Sequence, residues 1–128
     1  MPKRIVVVDD EPDIRTMLDI SLKNQGYEVQ LASDGVEGLE LIRKTRPDLA
    51  ILDVKMPRMN GFELLVAMRN DAQLKDMPVV MLTSLTVGTG KSDELWRQSL
   101  EITDFLSKPF DTQELLSRVN RILEKPAE

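Results

Sequence analysis

Apolar runs and helical stripes alternate along this chain. Ile5–Val8 is a continuous β-branched run. Ile14, Met17, Leu18 and Leu22 then follow with i, i+3, i+4, i+8 spacing, one stripe of a helix that has Pro12 near its start and Gly26 as a natural stop. Tyr27–Leu31 reads as a strand, and Val36, Leu39 and Ile42 as a helix ending before Pro47. Leu49–Leu52 is another apolar run. A loop with Pro57 and Gly61 leads to a helix carrying Phe62, Leu65 and Met68. Val79–Leu82 predicts a strand, Lys91–Leu100 a weaker helix, Thr103–Ser107 a short strand, and Leu115, Leu116, Val119, Ile122 and Leu123 a final helical stripe.

Strands that alternate with helices imply a parallel sheet covered on both faces. Runs 5–8, 49–52 and 79–82 are apolar throughout, as buried interior strands are. Residues 27–31 alternate in polarity and 103–107 carry Thr103, Asp104 and Ser107, as edge strands do. The expected fold is therefore an α/β, doubly wound, flavodoxin-like (βα)5 domain with a five-stranded parallel sheet in order 2-1-3-4-5. One domain is expected over 1–128, with 124–128 a tail or the start of a linker.

Composition narrows the chemistry. The chain has neither Cys nor His, which removes disulfides, zinc and iron–sulfur sites, thiol nucleophiles and Ser-His-Asp catalysis, and fits a cytoplasmic location. No apolar run is long enough for a membrane span. A net charge of −5 argues against direct nucleic-acid binding as the main task of these residues.

In doubly wound folds ligands bind beyond the carboxyl ends of the strands, where strand order reverses. Asp9, Asp10 and Glu11 follow the first strand there, and Asp53 follows the third. Thr83 and Ser84 follow the fourth, and Lys108 the fifth. Converging carboxylates repel unless a cation neutralises them, and Mg2+ suits oxygen donors with water and phosphate. An acid cluster, a dication, an ammonium and a hydroxyl together make a receptacle for a phosphoryl group, with a carboxylate as the available nucleophile. Each acid also has a plain reading; Asp10, for instance, is a good N-cap for the first helix.

Six segments in order resemble the receiver domains of two-component response regulators. They are Val6-Val7-Val8-Asp9-Asp10-Glu11, Asp34-Gly35-Val36-Glu37, Pro47-Asp48-Leu49-Ala50-Ile51-Leu52-Asp53, Met56-Pro57-Arg58-Met59-Asn60-Gly61-Phe62-Glu63, Pro78-Val79-Val80-Met81-Leu82-Thr83 and Lys108-Pro109-Phe110. The resemblance implies that Asp53 accepts a phosphoryl group from a sensor histidine kinase or phosphotransfer protein. It implies Mg2+ held by Asp10, Asp53 and the Lys55 backbone carbonyl, with Asp9 acting through water. Lys108 would pair with Asp53 and then with the phosphoryl group; Thr83 would bond to that group and let Phe105 rotate inward. The surface formed by the helix over 91–100, the last strand and the last helix would then control a downstream effector or an output domain not present here. A homodimer is left open. The resemblance also implies a cis Lys108–Pro109 bond, against the general preference for trans. Gly61 is expected to serve the turn after Met56-Pro57.

Several features depart from that pattern. Gly88-Thr89-Gly90-Lys91-Ser92 resembles the end of a phosphate-binding P-loop, but the first glycine of that motif falls at Leu85. Glu101 and Ile102 stand where the family has a glycine and a small residue, so the helix over 91–100 is expected to be displaced, short or mobile and the 86–92 loop loose. Trp96 on that helix reads as a core anchor. Lys55 is expected to modulate dephosphorylation. The competing reading is a Mg2+-dependent phosphatase with an aspartyl-phosphate intermediate. Such enzymes carry an acid two residues beyond the nucleophile, where this chain has Lys55. A flavodoxin-like electron carrier fails because Asp9, Asp10 and Glu11 would repel a flavin phosphate. The chain therefore reads as a switch rather than a turnover enzyme.

Overall fold

The computed structural model describes residues 2–83 and 102–123. The described elements run β1 (Arg4–Val8), α1 (Pro12–Asn24), β2 (Glu28–Ala32), α2 (Gly35–Thr45), β3 (Leu49–Asp53), α3 (Gly61–Arg69), β4 (Val79–Thr83), β5 (Asp104–Ser107) and α4 (Thr112–Leu123). All neighbouring strands are parallel, in the order β2-β1-β3-β4-β5. This is the doubly wound arrangement expected from the sequence. The 86–92 loop with its P-loop-like stretch, the helix over 91–100 with Trp96, the cap at Glu101 and the tail 124–128 lie outside the described residues.

Burial explains the order. Every residue of β3 and β4 is buried, as is β1 after Arg4, whereas β2 and β5 carry exposed positions. Successive side chains of a strand point to opposite faces. Ile5, Val7, Leu49 and Ile51 therefore pack with α1 and α4, while Val6, Val8, Ala50 and Leu52 pack with α2 and α3. Two cores result, one on each side of the sheet.

The helix ends are set locally. Gly26 takes φ 94° just beyond α1, a left-handed conformation that a glycine adopts without a Cβ penalty. Asn60 and Glu63 form a reciprocal capping box at the start of α3. Asp34 caps α2 by accepting from the Glu37 N–H at 2.9 Å. That bond, aided by the Arg58 guanidinium, holds the Asp34 carboxyl below the ordinary carboxylate range.

Two local expectations are corrected. The N-cap of α1 is Glu11 rather than Asp10, and no side chain caps this helix. Pro12 begins it without an N–H to satisfy, and the Glu11 carboxylate is engaged by Lys108. Gly61 is the first residue of α3, not a turn glycine. Its lack of a side chain serves close approach, because a Cβ there would lie 2.3 Å from the Asp53 carbonyl oxygen.

Candidate functional site

The carboxyl ends of β1, β3 and β4, with the residue after β5, bring the polar side chains together. Asp9 follows β1, and its N–H donates to the Ala32 carbonyl at 3.1 Å, extending the strand pairing by one residue. Its carboxylate is fully buried. One oxygen, Oδ1, accepts from the Glu11 N–H at 2.9 Å, while Arg15 donates to the Asp9 carbonyl at 2.7 Å. Asp53 closes β3 opposite Leu82 of β4 and is likewise buried. Thr83 closes β4, buried, and its carbonyl accepts the Lys108 N–H at 2.7 Å. That bond fixes the backbone from which the lysine side chain departs. The Lys108–Pro109 bond is cis, as expected.

Lys108 is the electrostatic centre of the group. Its Nζ lies 2.6 Å from Glu11 Oε1, 3.0 Å from Asp9 Oδ2 and 3.4 Å from Asp53 Oδ2. The expected pairing with Asp53 is present, but it is the longest of the three. Burial works against the charge on Lys108; the bonds to Glu11 and Asp9, with the charges of Asp9 and Asp53, outweigh it and raise its pKa above the ordinary lysine value. The ammonium is therefore a fixed positive charge.

Asp53 behaves oppositely. Burial first, then the neighbouring Asp9 charge and a hydrogen bond with Asp10, push its carboxyl up to about 7, although Lys108 pulls it down. One ammonium thus under-compensates the acids around it. Asp9, Asp10, Glu11 and Asp53 each bring an oxygen to within 4.8 Å of the others. Asp9 Oδ2 is buried and meets the Lys108 ammonium at 3.0 Å. A hard dication with oxygen ligands would suit this set, adding positive charge that one ammonium shared among the acids does not supply.

The carboxylates open onto a cleft of about 190 Å3 lined by Asp10, Glu11, Asp53, Lys55 and Lys108. A larger cavity of about 600 Å3 lies at the other end of the strands, beside Pro78 and Thr103, away from these groups. Volume does not decide between them; convergent charge does.

Of the residues singled out in the sequence, Asp9, Asp10, Asp53, Lys55 and Lys108 meet at this edge, with Thr83 ending the neighbouring strand. Lys55 is exposed at the cleft mouth. Phe105 stands apart: it is buried in the core on the α2/α3 side, at register with Met81. Glu11 stands out in the sequence only by its charge, because its contact with Lys108 depends on side-chain reach that spacing does not reveal. Arg58, which donates to Asp34 from the β3–α3 loop, has no such signal in the sequence.

Comparison with known proteins agrees with this geometry. The family model of the response regulator receiver domain matches residues 5–120. A curated relative, the DNA-binding dual master transcriptional regulator RpaA of a Synechocystis strain, is 38% identical over 123 residues, covering 95% of this chain and 49% of RpaA. The chain spans about half the length of the curated relatives it matches. Among solved structures, chemotaxis protein CheY4 of Vibrio cholerae superposes with a TM-score of 0.86 at 37% identity, covering 95% of this chain and 99% of that one. The receiver domain of sensor histidine kinase PA1611 from Pseudomonas aeruginosa, described with a magnesium ion in its active-site cleft, shares the fold at a TM-score of 0.81 and 24% identity, covering 97% of this chain and 99% of its own. With the family model spanning nearly the whole sheet and the charged edge, this chain belongs to the response regulator receiver domains.

Proposed function

We propose that the chain is a phosphorylation-operated signalling switch in which Asp53 accepts a phosphoryl group from a partner histidine kinase or phosphotransfer protein. The observation that carries this reading is the buried Asp53 carboxylate facing a cleft in which Lys108 is shared with Asp9 and Glu11. An Asp53 oxygen attacks phosphorus in line, forming the P–O bond as the P–N bond to the donor imidazole breaks, and the imidazole leaves with the electron pair. Lys108 then turns from the carboxylates to a phosphoryl oxygen, where its charge is needed. Thr83, at the end of the adjacent strand, donates its hydroxyl to another.

Asp10, Asp53 and the Lys55 carbonyl would hold Mg2+, with Asp9 acting through water; the bound ion supplies positive charge to the carboxylates and the incoming phosphoryl group. The four carboxylates gathered within 4.8 Å of one another and the raised Asp53 carboxyl both support that donor set. The magnesium described in the PA1611 receiver supports it too.

The added phosphoryl charge biases a two-state protein. Phe105, buried two register positions before Thr83's partner Ser107, is the residue we assign to follow Thr83 and carry the change to the face containing β5 and α4. A downstream effector or an attached output domain reads that face, as a second copy of the chain can. The site turns over no substrate beyond its own aspartyl phosphate, and it works in the cytoplasm, where ATP-fed kinases supply phosphoryl groups. No helix among the described residues is long and apolar enough to cross a membrane.

Incubation with Mg2+ and acetyl phosphate, followed by intact mass, tests the reading. It requires a single phosphoryl gain that Asp53→Asn abolishes. Continuous phosphate release from varied esters would instead establish a phosphatase.

A further inference from the structure

The β3–α3 loop, residues 54–60, carries the Lys55 carbonyl and is seated at both ends. At its start, the Val54 N–H donates to the Leu82 carbonyl and the Val54 carbonyl accepts the Gly61 N–H, each at 2.9 Å. At its far side, the Met59 carbonyl sits so close to α2 that a Cβ on Gly35 would lie 2.1 Å from its oxygen. Between these anchors stands Arg58 at φ 67°, a left-handed conformation that is strained for a side-chain-bearing residue. Glycine or asparagine would suit that backbone better. Arginine occupies it with both Nε and Nη2 directed at Asp34 Oδ2, at 3.0 and 2.6 Å. The other Asp34 oxygen is already committed to the N-terminus of α2. One carboxylate therefore ties the loop to a helix cap, across 24 residues of sequence.

We propose that the Asp34–Arg58 pair is a positioning device for phosphoryl transfer: it pins the β3–α3 loop onto the start of α2 and so sets how tightly the site takes its divalent cation. The proposal rests on the phosphorylation reading through the Lys55 carbonyl. Neither residue reaches the cleft, and neither is a catalytic residue. Their action is that of an outer-shell partner that holds a ligand-bearing backbone still.

The test uses the full chain, four single variants and the double variant Arg58→Ala/Asp34→Asn. Arg58→Ala removes the clamp. Arg58→Gly removes it while relieving the backbone, so it separates the guanidinium from the strain. Asp34→Asn keeps a good N-cap acceptor but discards the charge. Arg58→Lys keeps the charge without the fork. Two readouts are taken: metal-free amide hydrogen exchange over 54–61, and Mg2+ affinity by calorimetry.

Arg58→Ala and Arg58→Gly should exchange faster across the loop, by about fivefold, with urea midpoints that do not account for the change. Their Mg2+ affinity should fall roughly 3- to 10-fold, at or below the low end for outer-shell changes because Arg58 is largely exposed. Asp34→Asn and Arg58→Lys should fall in between, and Arg58→Ala/Asp34→Asn should be no worse than the poorer single variant. Mg2+ affinity and loop exchange in Arg58→Gly indistinguishable from the parent chain would overturn the proposal while leaving the phosphorylation reading intact. A parent chain that binds no Mg2+ and gains no phosphoryl group removes the reading itself, and this use of the clamp with it.

Discussion

Replacing Gly61 with alanine should disturb chemistry more than stability. A Cβ at residue 61 would stand 2.3 Å from the Asp53 carbonyl oxygen, 3.0 Å from its carbonyl carbon and 3.0 Å from Met81 Cε. A relaxed carbon-to-oxygen contact is about 3.3 Å, so β3 and α3 must separate by roughly 1 Å at that point. Met81 can yield by changing rotamer; the Asp53 carbonyl belongs to a fully buried strand and cannot. Overpacking of this kind costs about 1–3 kcal/mol, and the lower unfolded-state entropy of alanine returns about 0.4–1 kcal/mol. Net destabilisation should be about 1–2 kcal/mol. A displacement of about 1 Å at a reacting group can cost about 100-fold in rate, so phosphorylation of Asp53 should slow by about 10- to 100-fold. Gly26→Ala is the matched comparison. It meets no atom within 4 Å but must hold φ 94°, so it loses about 1 kcal/mol far from the cleft. Urea unfolding measures the first quantity, and the rate of mass gain from acetyl phosphate the second. If both alanine variants phosphorylate at the parental rate, or both slow in proportion to lost stability, the inference that Gly61 sets the position of Asp53 is refuted.

The charges of the site give three further expectations. In chelator, Asp53→Asn should stabilise the protein at pH 8 by about 1–3 kcal/mol, with the gain shrinking toward pH 5. The Asp53 carboxyl is raised from 3.8 to about 7, so its folded-state advantage is complete below 3.8 and lost as pH rises through 7; urea midpoints at the two pH values check the sign. Lys108→Met should lower metal-free stability at pH 8 by about 2–4 kcal/mol, because it strands the buried Asp9 and Asp53 carboxylates, and Mg2+ should restore part of the loss; equal unfolding midpoints for the variant and parent would contradict this. Lys55→Ala should change the lifetime of the aspartyl phosphate about 2-fold or more through its charge at the cleft mouth, timed by loss of the phosphorylated mass after donor removal.

What the sequence made legible was whatever depends on periodicity and strand ends. Interior and edge strands were separable because Leu49–Leu52 has no polar position to expose while Tyr27–Leu31 alternates, and burial in the sheet imposes that difference. The site was legible for a related reason. Strand ends in a parallel sheet lie at one edge, so Asp9, Asp53, Thr83 and Lys108 converge once the strand order is known. The contacts that escaped depend on side-chain length and loop path. Nothing in the spacing of Asp34 and Arg58 announces a bond between them, and a left-handed arginine is not written in any local propensity. Gly61 is needed for space rather than for a turn, and the two kinds of glycine look alike in a sequence.

The same division explains how one fold can hold its chemistry fixed and leave its tuning open. Asp9, Asp53 and Thr83 are buried at strand ends, where pairing with the neighbouring strand leaves them little freedom. Lys108 is held almost as firmly, through its N–H bond to the Thr83 carbonyl. Glu11, Lys55 and Arg58 sit on loops or a helix entry with substantial exposure: Glu11 meets Lys108, Lys55 lines the cleft and Arg58 meets Asp34. A substitution among the first group dismantles the receptacle, because it strands a buried charge or shifts a strand. A substitution among the second alters how strongly Lys108 is shared, what charge stands at the cleft mouth, or how firmly the β3–α3 loop is seated. If the phosphorylation reading holds, rates of gaining and losing the phosphoryl group can be adjusted from the rim of the sheet edge while the Asp53 carboxylate stays where the strand puts it.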